Sequence, residues 1–131
     1  FSDRVTIIYG HNMTDGSMFG MLEDTYSNSR DFEKYSDITV YLPKEEKHYR
    51  VVAAVPYSNL HIMEQFGRFE IDEDVLNFEK FICDSKETKA VYNRQWVPNG
   101  KDKLLILATC QKNNYNRRYI IVAKLIEDAN F

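Results

Sequence analysis

Leu104-Leu105-Ile106-Leu107-Ala108-Thr109-Cys110, the polar run Gln111 to Arg117, and then Arg118-Tyr119-Ile120-Ile121-Val122-Ala123-Lys124-Leu125 read as two β-strands joined by a polar connection. The connection is too long for a tight two-residue turn, so it predicts a loop that leaves Cys110 and Arg118 near the mouth of a hairpin. Directly opposite residues of an antiparallel pair have Cβ atoms about 4.5–5.5 Å apart. Side chains alternate along a strand, which sets Cys110 on one face with Ala108 and Ile106 and puts Thr109 and Leu107 on the other. Arg117 faces away from Arg118 and is the rival partner for the thiol. A thiol beside a fixed positive charge is the start of a nucleophilic site. Ile7-Ile8-Tyr9-Gly10-His11-Asn12 supplies a partner base, His11, at the end of another strand.

Outward from that hairpin, Val5 to Tyr9, Ile38 to Leu42 and Tyr49 to Val55 also read as strands, which makes five. Pro43-Lys44-Glu45-Glu46-Lys47 suits a hairpin turn and makes the second and third strands antiparallel. Met18 to Tyr35 has loose helical spacing and divides at Ser27-Asn28-Ser29. Asp72 to Thr88 is the clearer helix, with Val75, Leu76, Phe78, Phe81 and Ile82 on one face, acids in its first turn and lysines towards its end. No repeat, low-complexity run or linker is visible, so residues 1–131 are expected to form one domain.

Composition narrows the function. A chain of 131 residues with 44% hydrophobic content can bury a substantial core. The net charge of −3 is mixed in sign and forms no basic stripe, so nucleic acid is not an expected partner. Two cysteines, Cys83 and Cys110, give neither a disulfide framework nor a zinc quartet, and His11, His48 and His61 are not spaced as ligands. No stretch approaches the roughly 18 consecutive apolar residues of a membrane span. No Gly-rich phosphate motif is present.

Each chemical residue also has an ordinary reading. A lone cysteine at a strand end is commonly a small buried hydrophobe, and a histidine at a sheet rim is commonly structural. That reading is stronger for His48, His61 and the helical Cys83. Asp72, Glu73 and Asp74 match the dipole of a helix start better than they match a calcium or acid–base site. The nine tyrosines, eight phenylalanines and Trp96 fit a barrel core as well as a binding groove.

Taken together, Ile7 to Met13 with Asp15-Gly16-Ser17-Met18-Phe19, Leu107-Ala108-Thr109-Cys110 and Arg118 to Leu125 resemble the histidine, cysteine and arginine motifs of class B sortases, cysteine transpeptidases of Gram-positive cell surfaces. The resemblance covers nearly the whole chain, with the helix from Asp72 falling where that class inserts a long one. It implies a mainly β fold with inserted helices, a sortase-type closed β-barrel. It assigns His11, Cys110 and Arg118 as the catalytic triad and prefers Arg118 to Arg117, because the family arginine immediately precedes the hydrophobic run. Ala108, Thr109 and Gln111 are the implied substrate-binding residues, Gln111 through its backbone N–H; Ala108 stands where class B members often carry serine, so a hydroxyl contact is lost there.

The implied reaction cleaves a C-terminal sorting signal after threonine and transfers the acyl group, through a thioacyl-enzyme, to a peptidoglycan cross-bridge amine. Assembly of pilin subunits and non-catalytic peptide binding are the alternatives. No metal or cofactor is called for. The expected partners are the sorting-signal peptide and a peptidoglycan or pilin amine. The enzyme is expected to be a monomer on the extracellular face of the membrane, held there only by an N-terminal anchor outside this chain. The family barrel has eight strands and a preceding helix, so five strands predict an incomplete barrel lacking the N-terminal helix and first strands.

Overall fold

The computed structural model describes residues 3–10, 21–58, 62–111 and 114–130. Among these, six strands form one sheet: β1 (Val5–Tyr9), β2 (Asp37–Leu42), β3 (Glu45–Tyr57), β4 (Val91–Tyr92), β5 (Leu104–Gln111) and β6 (Asn114–Asn130). Their spatial order is β1-β5-β6-β3-β2, with β4 attached to β3. β1 runs parallel to β5 and the other pairings are antiparallel. The mainly β architecture with inserted helices is the one predicted. It is a curled half-barrel rather than a closed ring, because among the described residues no pairing joins the edge strands β1 and β2.

Burial explains why the central strands read as apolar runs. β5, β6 and the second half of β3 are covered on both faces, so almost every position from Leu104 to Ala108, Tyr119 to Ala123 and Val51 to Val55 is buried. One face carries Val5, Val55, Tyr57, Ile106, Ala108, Ile120 and Val122 under helix α4 (Asp72–Cys83), whose Val75, Phe78 and Ile82 are fully buried. The opposite face carries Tyr49, Val51, Leu105, Tyr119 and Ile121 under Tyr26 and Phe32. Those two aromatics come from α1 (Leu22–Tyr26) and α2 (Ser29–Lys34).

The predicted helix break at Ser27-Asn28-Ser29 has a local cause. Asn28 adopts an extended conformation, and its side chain accepts the Arg30 backbone N–H, capping α2. The portion of that predicted helix from Met18 to Gly20 lies outside the described residues. Other boundaries move. Helix α4 stops at Cys83 instead of Thr88, where the Asp84 N–H closes the last turn onto Lys80. The β2–β3 turn contracts to Pro43-Lys44, since Leu42 pairs directly with Glu45. β5 extends through Gln111 and β6 begins at Asn114, so the projecting loop expected from Gln111 to Arg117 is replaced by a register slip between Cys110 and Gln111. Helix α3 (Ile62–Phe66) and strand β4 were not anticipated, both being too short to show a period.

Candidate active site

β1, β3 and β5 end on one side of the sheet, beside the first part of β6, and residues on their common face form a row. Cys110 is the register partner of Arg118 across β5 and β6, and Tyr57 is the partner of Arg118 across β3 and β6. Tyr9 ends β1 opposite Ala108. Partnered residues share a face, so Tyr9, Cys110, Arg118 and Tyr57 all point to the side covered by α4. Within the row, Arg118 Nη1 donates to Cys110 Sγ at 3.6 Å. Both side chains are half-buried, open enough for a substrate yet held by the sheet.

Arg117 resolves differently. Its guanidinium clamps the Glu87 carboxylate through two nitrogens at 2.5 and 2.8 Å, and Nε donates to the Tyr57 carbonyl at 3.4 Å. Alternation and the Glu87 carboxylate together turn it away from the thiol. Electrostatics mark the reach of Arg118: burial raises the Tyr9 phenol, and the Arg118 guanidinium opposes that rise. Burial, reinforced by the Tyr9 phenol, pushes Tyr57 up to about 12, so it remains a neutral donor, and its hydroxyl donates to Gln65 Oε1 at 2.5 Å. Sequence reasoning passed over Tyr9 and Tyr57. Tyr9 could have been found from its parity with Val5 and Ile7, but Tyr57 lay beyond the expected end of its strand.

The other candidates fall as follows. Ala108 and Thr109 are 1% and 2% exposed, so they back the rim rather than line it, and the buried Thr109 hydroxyl has no hydrogen-bond partner among the described residues. Gln111 closes β5 opposite Asn114. The Gly10 N–H bonds to the Ala108 carbonyl at 3.0 Å, which carries β1 to the same rim; the following residue, His11, lies outside the described residues, as does His61. His48 sits between Thr39 and Glu46 on the β2–β3 hairpin, an ordinary cross-strand role. Cys83 packs at the end of α4, where burial, then Asp84 and Glu79, push its thiol up. Among the described residues no cluster of three potential ligands could hold a metal.

A groove of about 510 Å³ opens beside Tyr9, between β1 and α3, and is lined by Val5, Ile7, Tyr9, Met63 and Glu64. Its lining is mostly apolar, and it shares Tyr9 with the Cys110 row. The arrangement offers a thiol, a fixed cation and a neighbouring apolar cleft.

Comparison with known proteins gives the family. The family described as the sortase domain matches residues 2–126, and the chain belongs to it. The relatives it matches are sortase B proteins. It is 29% identical to sortase B of Staphylococcus aureus over 93% of this chain and 48% of that protein. It is 30% identical to sortase B of Listeria monocytogenes over 96% of this chain and 50% of that protein. The crystal structure of the S. aureus protein superimposes with a TM-score of 0.70 at 28% identity, covering 95% of this chain and 57% of that one. The chain thus spans about half the length of the curated relatives it matches.

Proposed function

We propose that this chain acts as a class B sortase at the extracellular face of a Gram-positive membrane. In this reading an extended sorting signal lies in the groove beside Tyr9 and presents its threonine carbonyl to Cys110. The Cys110 sulfur attacks, the threonine C–N bond breaks, and a thioester links the acyl group to the chain. His11 as imidazolium donates the proton that the leaving amine needs, then accepts one from the incoming amine, which resolves the thioester and releases the Cys110 thiolate. The Arg118 guanidinium stabilises the oxyanion, with the Gln111 N–H as second donor. Ala108 and Thr109 act through the main chain, their side chains being buried. The acceptor is a peptidoglycan cross-bridge amine.

The 3.6 Å approach of Arg118 to Cys110, at the rim where β1 delivers Gly10, carries this reading. A panel of sorting-signal peptides incubated with oligoglycine and with lysine-bearing pilin peptides, analysed by mass spectrometry, tests it. Cleavage after threonine with joining to oligoglycine is the expected result. Joining to lysine alone would make the enzyme a pilus assembler, and binding without cleavage would make it a peptide-binding module.

A further inference from the structure

Arg118 reaches the thiol from a strand held on its other face. Tyr119, fully buried, donates its phenol to the Lys89 carbonyl at 2.9 Å. Lys89 Nζ in turn donates to Glu23 Oε2 at 2.8 Å, and the Glu23 side chain is completely buried in α1 while Lys89 is 42% exposed. Burial, and then the Glu23 carboxylate, hold the Tyr119 phenol far above its usual range, so it stays protonated and keeps donating. On the other side of Arg118, Arg117 grips Glu87. The two neighbours of Arg118 are therefore tied to the short segment from Glu87 to Lys89. That segment is fastened to α1 by Lys89 and Glu23. A carboxylate buried without its cation would be strongly destabilised, so the Glu23–Lys89 contact fixes both elements in one arrangement.

We propose that Glu23 is a positioning residue for the Cys110–Arg118 pair. Through Lys89 it holds the segment on which Tyr119 and Arg117 rest, and so sets the strand position from which the Arg118 guanidinium meets the sulfur. The role rests on the reading of Cys110 and Arg118 as the reacting pair, but its test needs no turnover. Glu23 acts from the opposite face of the sheet, the one covered by α1.

Alkylation of Cys110 by the anion iodoacetate, divided by its alkylation by neutral iodoacetamide, reports a cation at the thiol, because the thiolate fraction cancels in the ratio. Peptide mass spectrometry separates Cys110 from Cys83. The native chain is expected to exceed Arg118→Ala by about fivefold, the effect of one charge at this separation in a mostly aqueous setting. Glu23→Gln keeps the side-chain shape and should lose most of that excess. The sign is diagnostic: losing the Glu23 charge with no movement of Arg118 would raise the preference for the anion, whereas displacement of Arg118 lowers it.

Circular dichroism checks the fold of each variant. If Glu23→Gln does not fold, Tyr119→Phe, which removes only the hydroxyl, is expected to show the same loss. A folded Glu23→Gln with a native or higher ratio overturns the proposal, as does a native ratio in Tyr119→Phe where that variant decides. Equality of the native chain with Arg118→Ala would overturn it too. Failure to process sorting peptides while the ratios behave as expected would count against the proposed function and leave this role standing.

Discussion

One residue of offset separates the arginine at the thiol from the one that braces the strand. Arg118 shares the Cys110 face, and Arg117 spends its guanidinium on Glu87 and the Tyr57 carbonyl. Arg118→Lys keeps the charge but loses the planar fork, so the acyl-transfer rate should fall by roughly 10²–10³ with peptide KM little changed. Arg117→Lys retains an ion pair with Glu87 and should cost far less; the reverse order in steady-state kinetics would show that the facing is wrong. Cys110→Ala removes the nucleophile and little volume, and is expected to abolish product while leaving the thermal transition in place. The two thiols should also separate under iodoacetamide at neutral pH. Cys83 has its thiol raised by burial and neighbouring carboxylates, whereas Cys110 has a guanidinium beside it. Labelling at Cys83 first, seen by peptide mapping, would contradict the assignment.

Helix α4 carries a buried acid. Glu79 is fully buried among Val75, Phe78 and Ile82, because its position, four after Val75 and three before Ile82, lies on the apolar face although its charge favours water. Its Oε1 accepts the Gly100 N–H at 2.8 Å, which anchors the approach to β5. Burial lifts the carboxyl to about 7; the Gly100 and Asn99 amides oppose the rise and the nearby Asp102 carboxylate reinforces it. A folded-state value above the unfolded one means that the native state binds the extra proton. Stability from this group is complete below about pH 4.5 and is lost as pH rises towards and through 7. The loss is roughly 3 kcal/mol if the whole shift is expressed. Glu79→Gln should be more stable than the native chain at pH 8 and show a smaller change in Tm between pH 5 and pH 8. An unchanged pH dependence in that variant would remove Glu79 as its source. The Gly100 contact is equally close on the other side: its φ is +73°, and an added Cβ would lie 2.5 Å from the Asp72 carbonyl. Gly100→Ala should therefore lower Tm by more than an ordinary loop substitution, since backbone conformation and contact both oppose it.

Across the whole molecule, what could be read in the sequence was what a strand period reports. The apolar runs of β5, β6 and β3 stand out because both sheet faces are covered, and the hairpin they predict brings Cys110 near Arg117 and Arg118, between which the family resemblance prefers Arg118, the register partner observed. Short or tertiary features were silent. Val91–Tyr92 and Ile62–Phe66 are held by contacts with distant strands and helices, and Phe81, expected in the core, is 46% exposed because it stacks edgewise on Tyr57 and Phe66 at the helix margin. The polar contacts behind the rim, Glu23 with Lys89 and Arg117 with Glu87, join residues 66 and 30 positions apart, which no local pattern can show. The barrel is open among the described strands, with β1 and β2 as edges, in keeping with the incomplete barrel that the strand count predicts. The central claim is that this half-barrel presents Cys110 as an acyl-accepting nucleophile. Intact-mass measurement of the chain after mixing with a sorting-signal peptide, without added amine, tests it most directly. A covalent increment equal to the peptide up to its threonine acyl group, mapped to Cys110 and missing in Cys110→Ala, is predicted; a native chain that leaves the peptide whole and gains no mass would contradict the account.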